Sequence, residues 1–230
     1  MSSEIHVAIL DDHQSIIDGY TFRLSQIPDI RVVASANFGD ELEPMLKEQP
    51  IDILLLDVGV PTSPESPNPY PILHLIPELL QTYPDLNILV ISMHNQPALI
   101  NSVMNAGASG YILKDDRDTL QELGSIIRTI ARGDIHLSKQ ANQQLKKKLS
   151  KENSLTPRQI EALSLSAAYP DETSAELGER LGIENSTVRN LLTGAYFRLN
   201  VRNRTAAVIK ARQLGLIAPH LPTVDINESE

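Results

Sequence analysis

The chain has 230 residues, enough for two small domains, and no cysteine, which excludes a disulfide framework and a thiolate metal site. Its net charge is −9, and no uninterrupted apolar run approaches the roughly 20 residues that a membrane-spanning helix needs. The first residues lack the basic flank and apolar core of a signal peptide. We therefore expect a soluble cytoplasmic protein with no membrane partner.

The charge is distributed unevenly along the chain. Residues 1–133 carry −11, residues 134–152 carry +3, residues 153–218 carry +2 and residues 219–230 carry −3. An acidic first part and a mildly basic second part indicate different partners at the two ends. We predict a first domain at 1–133, a basic helical linker at 134–152, a second domain at 153–218 and an acidic tail at 219–230.

Short apolar strands alternate with helical patterns in the first part. Strands are predicted at about 5–10, 31–36, 51–57, 86–92 and 110–114, and helices at about 16–24, 40–48, 71–82, 97–106 and 117–132. This alternation predicts an α/β fold with a doubly wound, five-stranded parallel sheet. In the strand order 2-1-3-4-5, the first, third, fourth and fifth strands are neighbours.

Polar side chains stand where these four neighbouring strands end. They are Asp11 and Asp12, Asp57, Ser92 and Lys114. Taken singly, each has a simpler explanation: a helix cap for Asp11 or Asp12, a turn for Asp57, local hydrogen bonding for Ser92 and solvation for Lys114. Because the C-terminal edge of an open α/β sheet is where chemistry takes place, their joint position favours a functional site.

These residue types suit phosphoryl transfer to a carboxylate. Neighbouring carboxylates need a cation, and Mg²⁺ prefers oxygen ligands such as those of Asp11, Asp12 and Asp57. An aspartate can attack phosphorus and form an acyl phosphate. We predict that Asp57 is this acceptor, that Lys114 neutralises the phosphoryl group and that the Ser92 hydroxyl donates to it.

The second part contains four predicted helices. The segments Thr156-Pro157-Arg158-Gln159 and Thr173-Ser174-Ala175-Glu176 have the spacing of capping boxes, and Gly182 is a stop signal. Two further helices are predicted at about 186–199 and 204–214. A helix, a short turn and a second helix form the geometry that places the second helix in the DNA major groove.

Residues 5–132 resemble a response-regulator receiver domain, and the rest resembles the helix-turn-helix output domain of the NarL/FixJ (LuxR-type) group. The first resemblance is carried by Asp11-Asp12-His13, Leu56-Asp57 with Pro61 following, Ile91-Ser92-Met93-His94 and the segment AGASGYILK at 106–114. The second is carried by LTPR at 155–158, AELGERLGI at 175–183, TVR at 187–189 and RLNVRNRTAAV at 198–208.

The receiver resemblance implies roles for individual residues. Asp57 would accept phosphate from the histidine of a sensor kinase, with Asp11 and Asp12 holding Mg²⁺ and the backbone carbonyl of Gly59 completing its ligation. Tyr111 matches the family's switch aromatic, or it is an amphipathic residue at the sheet edge. The family implies a phosphorylation-dependent transcriptional regulator, and not a dedicated enzyme, that forms a homodimer on double-stranded promoter DNA.

The output resemblance implies a set of DNA contacts. The groove-facing positions match Arg189, Asn190 and Thr193, of which Arg189 could read guanine and Asn190 adenine. Candidate contacts to the DNA backbone are Arg202, Arg204 and the helix N-terminus at Thr173.

Some residues in the output domain depart from the family pattern. Glu184 replaces a common capping serine, and Gly194 inside the recognition helix costs about 1 kcal/mol relative to alanine. With few cations, we expect weak binding by each monomer and a need for two half-sites. A degenerate domain that makes only protein contacts is the alternative.

The segment 58–71 departs from the receiver pattern. It contains five prolines, and the interval from Asp57 to Ser92 is longer than receivers usually have. We predict an extended, stiff loop over the phosphorylation edge. It is either a tolerated surface insertion or a feature that restricts kinase docking or shields the acyl phosphate.

Three alternative functions remain open. They are a receiver that regulates DNA binding without phosphate, an aspartate-nucleophile phosphatase, and a protein-interaction adaptor. Phosphatases of this class need a second carboxylate two residues after the nucleophile, and this chain has Gly59 there, which argues against that alternative.

Overall fold

The computed structural model describes residues 4–145 and 155–219. The strands are β1 (Ile5–Leu10), β2 (Ile30–Ala36), β3 (Ile53–Leu56), β4 (Pro61–Ser63), β5 (Ser66–Pro69), β6 (Asn87–Ser92), β7 (Gly110–Leu113) and β8 (His136–Leu137). Residues 4–145 contain helices α1 (Gln14–Ser25), α2 (Leu42–Glu48), α3 (Ile72–Thr82), α4 (Pro97–Asn105), α5 (Arg117–Gln121), α6 (Leu123–Ala131) and α7 (Lys139–Leu145), and a 3-10 turn at Gly39–Glu41. Residues 155–219 contain α8 (Pro157–Ala168), α9 (Ser174–Leu181), α10 (Asn185–Leu199) and α11 (Arg204–Gln213).

A parallel sheet forms the centre of the first domain, in the order β2-β1-β3-β6-β7-β8. The predicted α/β fold and the order of its five main strands are confirmed. The sixth strand, β8, was not predicted, because two residues give no strand pattern. It forms where Gly133, in a left-handed conformation (φ +89°), turns the chain back alongside β7.

The central strands are buried on both faces, which explains their continuous apolar sequence. Every residue of β3 is buried. Alternate residues of β1 belong to different core clusters: Val7 and Ile9 pack with α1 and α6, whereas Ala8 and Leu10 pack with α2, α3 and α4. The two helical layers thus fix the sheet, and all its parallel strands end at one edge.

Two predicted elements differ from the structure. The single helix predicted at 117–132 is interrupted at Glu122, so that α5 and α6 are separate. The stiff loop predicted at 58–71 is instead largely an antiparallel hairpin, β4–β5, in which Pro61 pairs with Pro69. A two-stranded ribbon has two free edges, so prolines that cannot donate are tolerated there.

The helices of the second domain surround their own core, and α10 and α11 lie within one residue of their predicted bounds. Both capping boxes are confirmed: Thr156 N donates to Gln159 Oε1 (3.0 Å) and Thr173 N donates to Glu176 Oε2 (2.7 Å). Gly182 ends α9 in the left-handed conformation. Within residues 4–145 and 155–219, no helix is long and apolar enough to cross a membrane.

Candidate functional site

Three of the predicted residues meet at the C-terminal edge of the sheet. Lys114 Nζ donates to Asp11 Oδ2 (2.6 Å) and to Asp57 Oδ2 (3.1 Å). The three side chains follow β7, β1 and β3, and each is at most 10% exposed. The other oxygen of Asp57 accepts from the backbone N–H of Val58 (2.8 Å). The parallel strands therefore bring together groups that are up to 103 residues apart.

Burial and charge determine the ionisation of this group. Burial raises the pKa of the Asp11 carboxyl, and the hydrogen bond and charge of Lys114 offset this rise only in part. Burial alone would lower the pKa of Lys114, but the charge of Asp57 and the hydrogen bond and charge of Asp11 raise it. Lys114 is therefore held as an ammonium ion, and one such cation does not balance three neighbouring aspartates.

Asp12 and Gly59 follow Asp11 and Asp57 closely in the chain. Asp12 is half-buried and contacts His13 Nδ1 (2.7 Å), while the backbone N–H of His13 donates to Asp11 Oδ1 (3.0 Å). One ligand atom from each of Asp11, Asp12 and His13 lies within 4.8 Å of the others. Gly59 is buried in the turn after Asp57. The carboxylate oxygens are the hard donors that Mg²⁺ prefers, so these residues fit that ion.

Ser92 and Tyr111 are fully buried next to the site. The Tyr111 hydroxyl donates to the His94 carbonyl (2.7 Å), and the backbone N–H of His94 donates to Ser92 Oγ (3.3 Å). The burial of Tyr111 does not fit the alternative of an amphipathic residue at the sheet edge. His94 had no predicted role, because its contribution is a backbone carbonyl, which the sequence does not signal.

The second domain exposes one face of α10. Arg189, Asn190 and Thr193 are exposed on this helix, as a groove-facing role requires. Phe197, one turn beyond Thr193, is 88% exposed and adds an apolar group that the sequence analysis did not single out. Thr173 is exposed at the N-terminus of α9, where its hydroxyl is used in the capping box.

Gly194 has a packing reason inside α10. A Cβ at this position would lie 2.5 Å from Nε2 of Gln159 on α8. Gln159 Oε1 accepts from Thr156 N and from Arg198 Nη1 (both 3.0 Å), so one side chain joins the cap of α8 to the end of α10. Glycine lowers the intrinsic stability of α10, but it allows α8 and α10 to pack closely at this position.

The two arginines proposed as backbone contacts differ in their surroundings. Arg202 is exposed. Arg204 donates to the carbonyl of Glu172 and to Ser174 Oγ, and these bonds join the start of α11 to the start of α9. Arg204 thus has an internal role that the sequence did not reveal.

Known proteins resemble this chain along almost its whole length. The family model described as "Response regulator receiver domain" matches residues 7–124, and the one described as "Bacterial regulatory proteins, luxR family" matches residues 153–211. Transcriptional regulatory protein DegU of Brevibacillus brevis is 27% identical over 238 residues, covering 94% of this chain and 96% of DegU. Transcriptional regulatory protein LiaR of Bacillus subtilis (strain 168) is 29% identical over 220 residues, covering 93% and 99%.

A solved structure supports the same architecture. RcsB from Salmonella enterica serovar Typhimurium, bound to promoter rprA in the presence of phosphomimetic BeF3−, has a TM-score of 0.63 and 22% sequence identity. The match covers 90% of this chain and 98% of that chain. This likeness shows the fold. The names of both relatives agree with the prediction of a regulator rather than a dedicated enzyme.

Proposed function

This chain belongs to the two-component response regulators that carry a LuxR-type DNA-binding domain, and we propose that phosphorylation of Asp57 controls its DNA binding. The donor is a sensor histidine kinase, and the target is double-stranded promoter DNA bound by a homodimer. In this proposal Ser92, Lys114 and Tyr111 respond to the phosphoryl group. Arg189, Asn190 and Thr193 face the bases, while Thr173, Arg202 and Arg204 contact the DNA backbone.

The bridging ammonium of Lys114 is the observation that carries the proposal. Desolvation offsets much of the attraction in a buried ion pair, so stability alone does not explain why Lys114 lies between Asp11 and Asp57 at the ends of neighbouring strands. An acceptor carboxylate needs such a charge beside it, since the phosphoryl group brings further negative oxygens. The arrangement supports phosphoryl transfer over the alternative of a receiver that works without phosphate.

The reaction follows from the position of Asp57. One carboxylate oxygen attacks phosphorus, the P–N bond to the kinase histidine breaks, and its electron pair returns to the imidazole nitrogen. The Val58 N–H and Lys114 orient the carboxylate. Lys114 can then follow the charge from Asp57 Oδ2 to a phosphoryl oxygen, which weakens the contact seen here.

Receiver domains generally use Mg²⁺ at their acidic pocket. In this chain the ligands would be Asp11, Asp12, Asp57 and the Gly59 carbonyl. When bound, the ion supplies positive charge to the phosphoryl oxygens. Asp12 contacts exposed His13, and its side chain is more exposed than those of Asp11 and Asp57, so it is the carboxylate most available to the ion.

The domain division is also a proposal. The receiver spans 1–133 and the output domain 153–218, with the linker at 134–152 and the tail at 219–230. The first part of the linker packs on the receiver, since β8 joins the sheet and α7 lies against α4 and β7. Residues 146–152 of the linker and 220–230 of the tail lie outside the described residues.

The test compares DNA affinity of the wild type with that of Asp57→Ala, with and without beryllofluoride, a phosphoryl mimic. The probe is a duplex selected from a random library by the beryllofluoride-treated wild type. We expect beryllofluoride to tighten binding by the wild type and by the control Asp115→Ala, an exposed carboxylate beside Lys114, but not by Asp57→Ala. If all three respond alike, or if none responds, Asp57 is not the controlling acceptor.

A further inference from the structure

The most exposed large apolar side chain in residues 4–145 and 155–219 is that of Phe197 on α10, at 88%. A single exposed apolar residue is common on protein surfaces and indicates no function by itself. Phe22 on α1, at 73%, is an example. Phe197 differs from it in position, because it lies on the helix that the proposed function places in the DNA major groove.

Helical geometry places Phe197 on the face of α10 that is opposite to the core. At about 100° per residue, Phe197 is turned by only about 20° from exposed Asn190, and by about 40° from exposed Thr193. The mean direction of the buried residues is roughly 170° from Asn190. These buried residues are Val188, Leu192, Ala195 and Leu199. Phe197 therefore shares the face of the three residues proposed to face the bases.

The side chains around Phe197 leave its ring open to solvent. One turn earlier, Thr193 has a small side chain and Gly194 has none. Its neighbours in sequence are engaged within the domain: Tyr196 is half-buried, and Arg198 donates to Gln159 on α8 (3.0 Å). The ring is therefore the largest apolar group that this face of α10 presents.

Phe197 is far enough along α10 to reach a different base pair from Asn190. Their positions differ by about 10 Å along the helix axis, at 1.5 Å per residue. Successive base pairs of B-DNA are about 3.4 Å apart, and the major groove admits an α-helix. A helix that lies along the groove would place the ring about three base pairs from the base that Asn190 faces.

The chemistry of the ring limits what it can recognise. A phenyl group has no N–H or O–H donor, so it cannot form the hydrogen bonds by which proteins hold phosphate oxygens. On the major-groove edges of the bases, the apolar group is the C5 methyl of thymine, which phenylalanine is able to contact. The ring therefore suits a thymine and no other base.

The shortage of cations on α10 gives such a contact weight in the affinity. The helix contains two basic residues, Arg189 and Arg198, of which Arg198 bonds Gln159. Glu184 at the N-cap adds a negative charge to the end of the helix that reads base edges. Because few phosphates are neutralised, burial of apolar surface has to supply a larger share of the binding free energy.

From this position and chemistry we propose that Phe197 reads a thymine, by packing its ring against the C5 methyl group in the major groove. The thymine lies about three base pairs from the base that Asn190 faces. The proposal rests on DNA binding through α10, which is part of the function proposed above, but not on phosphorylation. Each half-site then contains one position at which the methyl group itself is recognised.

Replacing thymine by uracil removes this methyl group and keeps the hydrogen-bonding groups of the base. The probe is the duplex selected by the beryllofluoride-treated full-length wild type, with each thymine of a half-site replaced in turn. We expect one replacement to weaken binding by the wild type about fourfold, the change that corresponds to one buried methyl group. The same replacement should leave the affinity of Phe197→Ala unchanged, because its ring is already absent.

Two further variants provide the controls. Phe22→Ala removes an exposed ring from α1 and should show the same fourfold effect of uracil as the wild type. Phe197→Leu keeps an apolar side chain, so it should bind the thymine duplex more tightly than Phe197→Ala, which should lose about tenfold in affinity. Since Phe197 is exposed, both of its variants should fold, and circular dichroism checks this.

Several results would overturn the proposal. If no uracil replacement weakens binding by the wild type, the ring reads no methyl group. If uracil weakens Phe197→Ala as much as the wild type, another side chain reads that methyl group. If Phe197→Ala sediments at a lower mass than the wild type without DNA, and uracil has no effect on either, the ring belongs to an interface between copies of the chain.

The same assay distinguishes this proposal from control by phosphorylation. If the uracil effect requires Phe197 while beryllofluoride leaves the affinity of the wild type unchanged, thymine reading is supported and control through Asp57 is wrong. If beryllofluoride tightens binding but uracil has no effect, control through Asp57 is supported and thymine reading is wrong. If the selection enriches no duplex, DNA binding and thymine reading are both overturned.

Discussion

Replacing Lys114 with methionine removes the cation that joins two buried carboxylates. Methionine fills a similar volume but cannot donate to Asp11, whose side chain is 3% exposed, or to Asp57, whose side chain is 10% exposed. Both carboxylates then remain in a poorly solvated position with only backbone donors, Val58 N for Asp57 and His13 N for Asp11. We expect the free energy of unfolding to fall.

The size of this loss is bounded by protonation. Removing one partner of a buried ion pair costs about 3–5 kcal/mol. The carboxyl can instead take up a proton. Since pH 7 lies about three units above the ordinary aspartate pKa, and each unit corresponds to roughly 1.4 kcal/mol, protonation costs about 4 kcal/mol. Burial has already raised the pKa of Asp11, which makes that escape easier. We therefore expect a loss of about 3 kcal/mol at pH 7 without Mg²⁺.

The same reasoning fixes the sign of the pH dependence. In the variant, a carboxyl whose folded pKa is raised binds protons in the folded state before it does so in the unfolded state. The loss of stability of Lys114→Met relative to the wild type therefore shrinks as the pH falls towards the ordinary aspartate pKa, to at most about 1.5 kcal/mol at pH 5. Excess Mg²⁺ should restore more stability to the variant than to the wild type, because it replaces the missing charge.

Urea unfolding followed by circular dichroism, at pH 7 and pH 5, measures these differences. Lys47→Met is the control: Lys47 pairs with Glu43 on the surface, both side chains being more than half exposed, and its loss should not change stability measurably. A Lys114→Met protein at least as stable as the wild type at pH 7 without Mg²⁺ would refute the reasoning. So would a deficit that does not depend on pH.

Three further outcomes are expected. Gly178→Ala should lower the stability of the output domain by about 1–3 kcal/mol in a thermal melt, because the new Cβ would lie 2.7 Å from the rigid carbonyl of Ile183; a neutral result would contradict this. Tyr111→Phe leaves the His94 carbonyl without its hydroxyl donor and should cost about 1–3 kcal/mol in urea unfolding; unchanged stability would contradict this. Burial would raise the pKa of Glu161, but hydrogen bonds from His74 and Arg158 lower it, so ionised Glu161 stabilises the fold above the ordinary glutamate pKa of about 4.3. This stabilisation is lost as the pH falls through the lowered folded pKa, so the difference in unfolding free energy between the wild type and Glu161→Gln should close over that range. A difference that stays constant would count against these hydrogen bonds.

The amino-acid sequence by itself determined the features that depend on local pattern. The continuous apolar runs identified strands buried on both faces, and from their order it followed that Asp11, Asp57 and Lys114 share an edge. The capping boxes at Thr156 and Thr173 were equally readable, because each requires only two residues three positions apart. Both kinds of inference rest on backbone geometry that repeats in every helix and every parallel sheet.

Only the tertiary structure decided the contacts between distant segments. His74 and Glu161 are 87 residues apart, and neither has a signal in the sequence beyond its type. Likewise the sequence offers Arg204 as a candidate DNA contact but does not indicate its bonds to Glu172 and Ser174. The prolines of the 58–71 segment predicted an extended loop, but not that the loop would pair with itself and lie against α8. Such contacts arise from how two folded surfaces meet, and no periodicity along the chain records that.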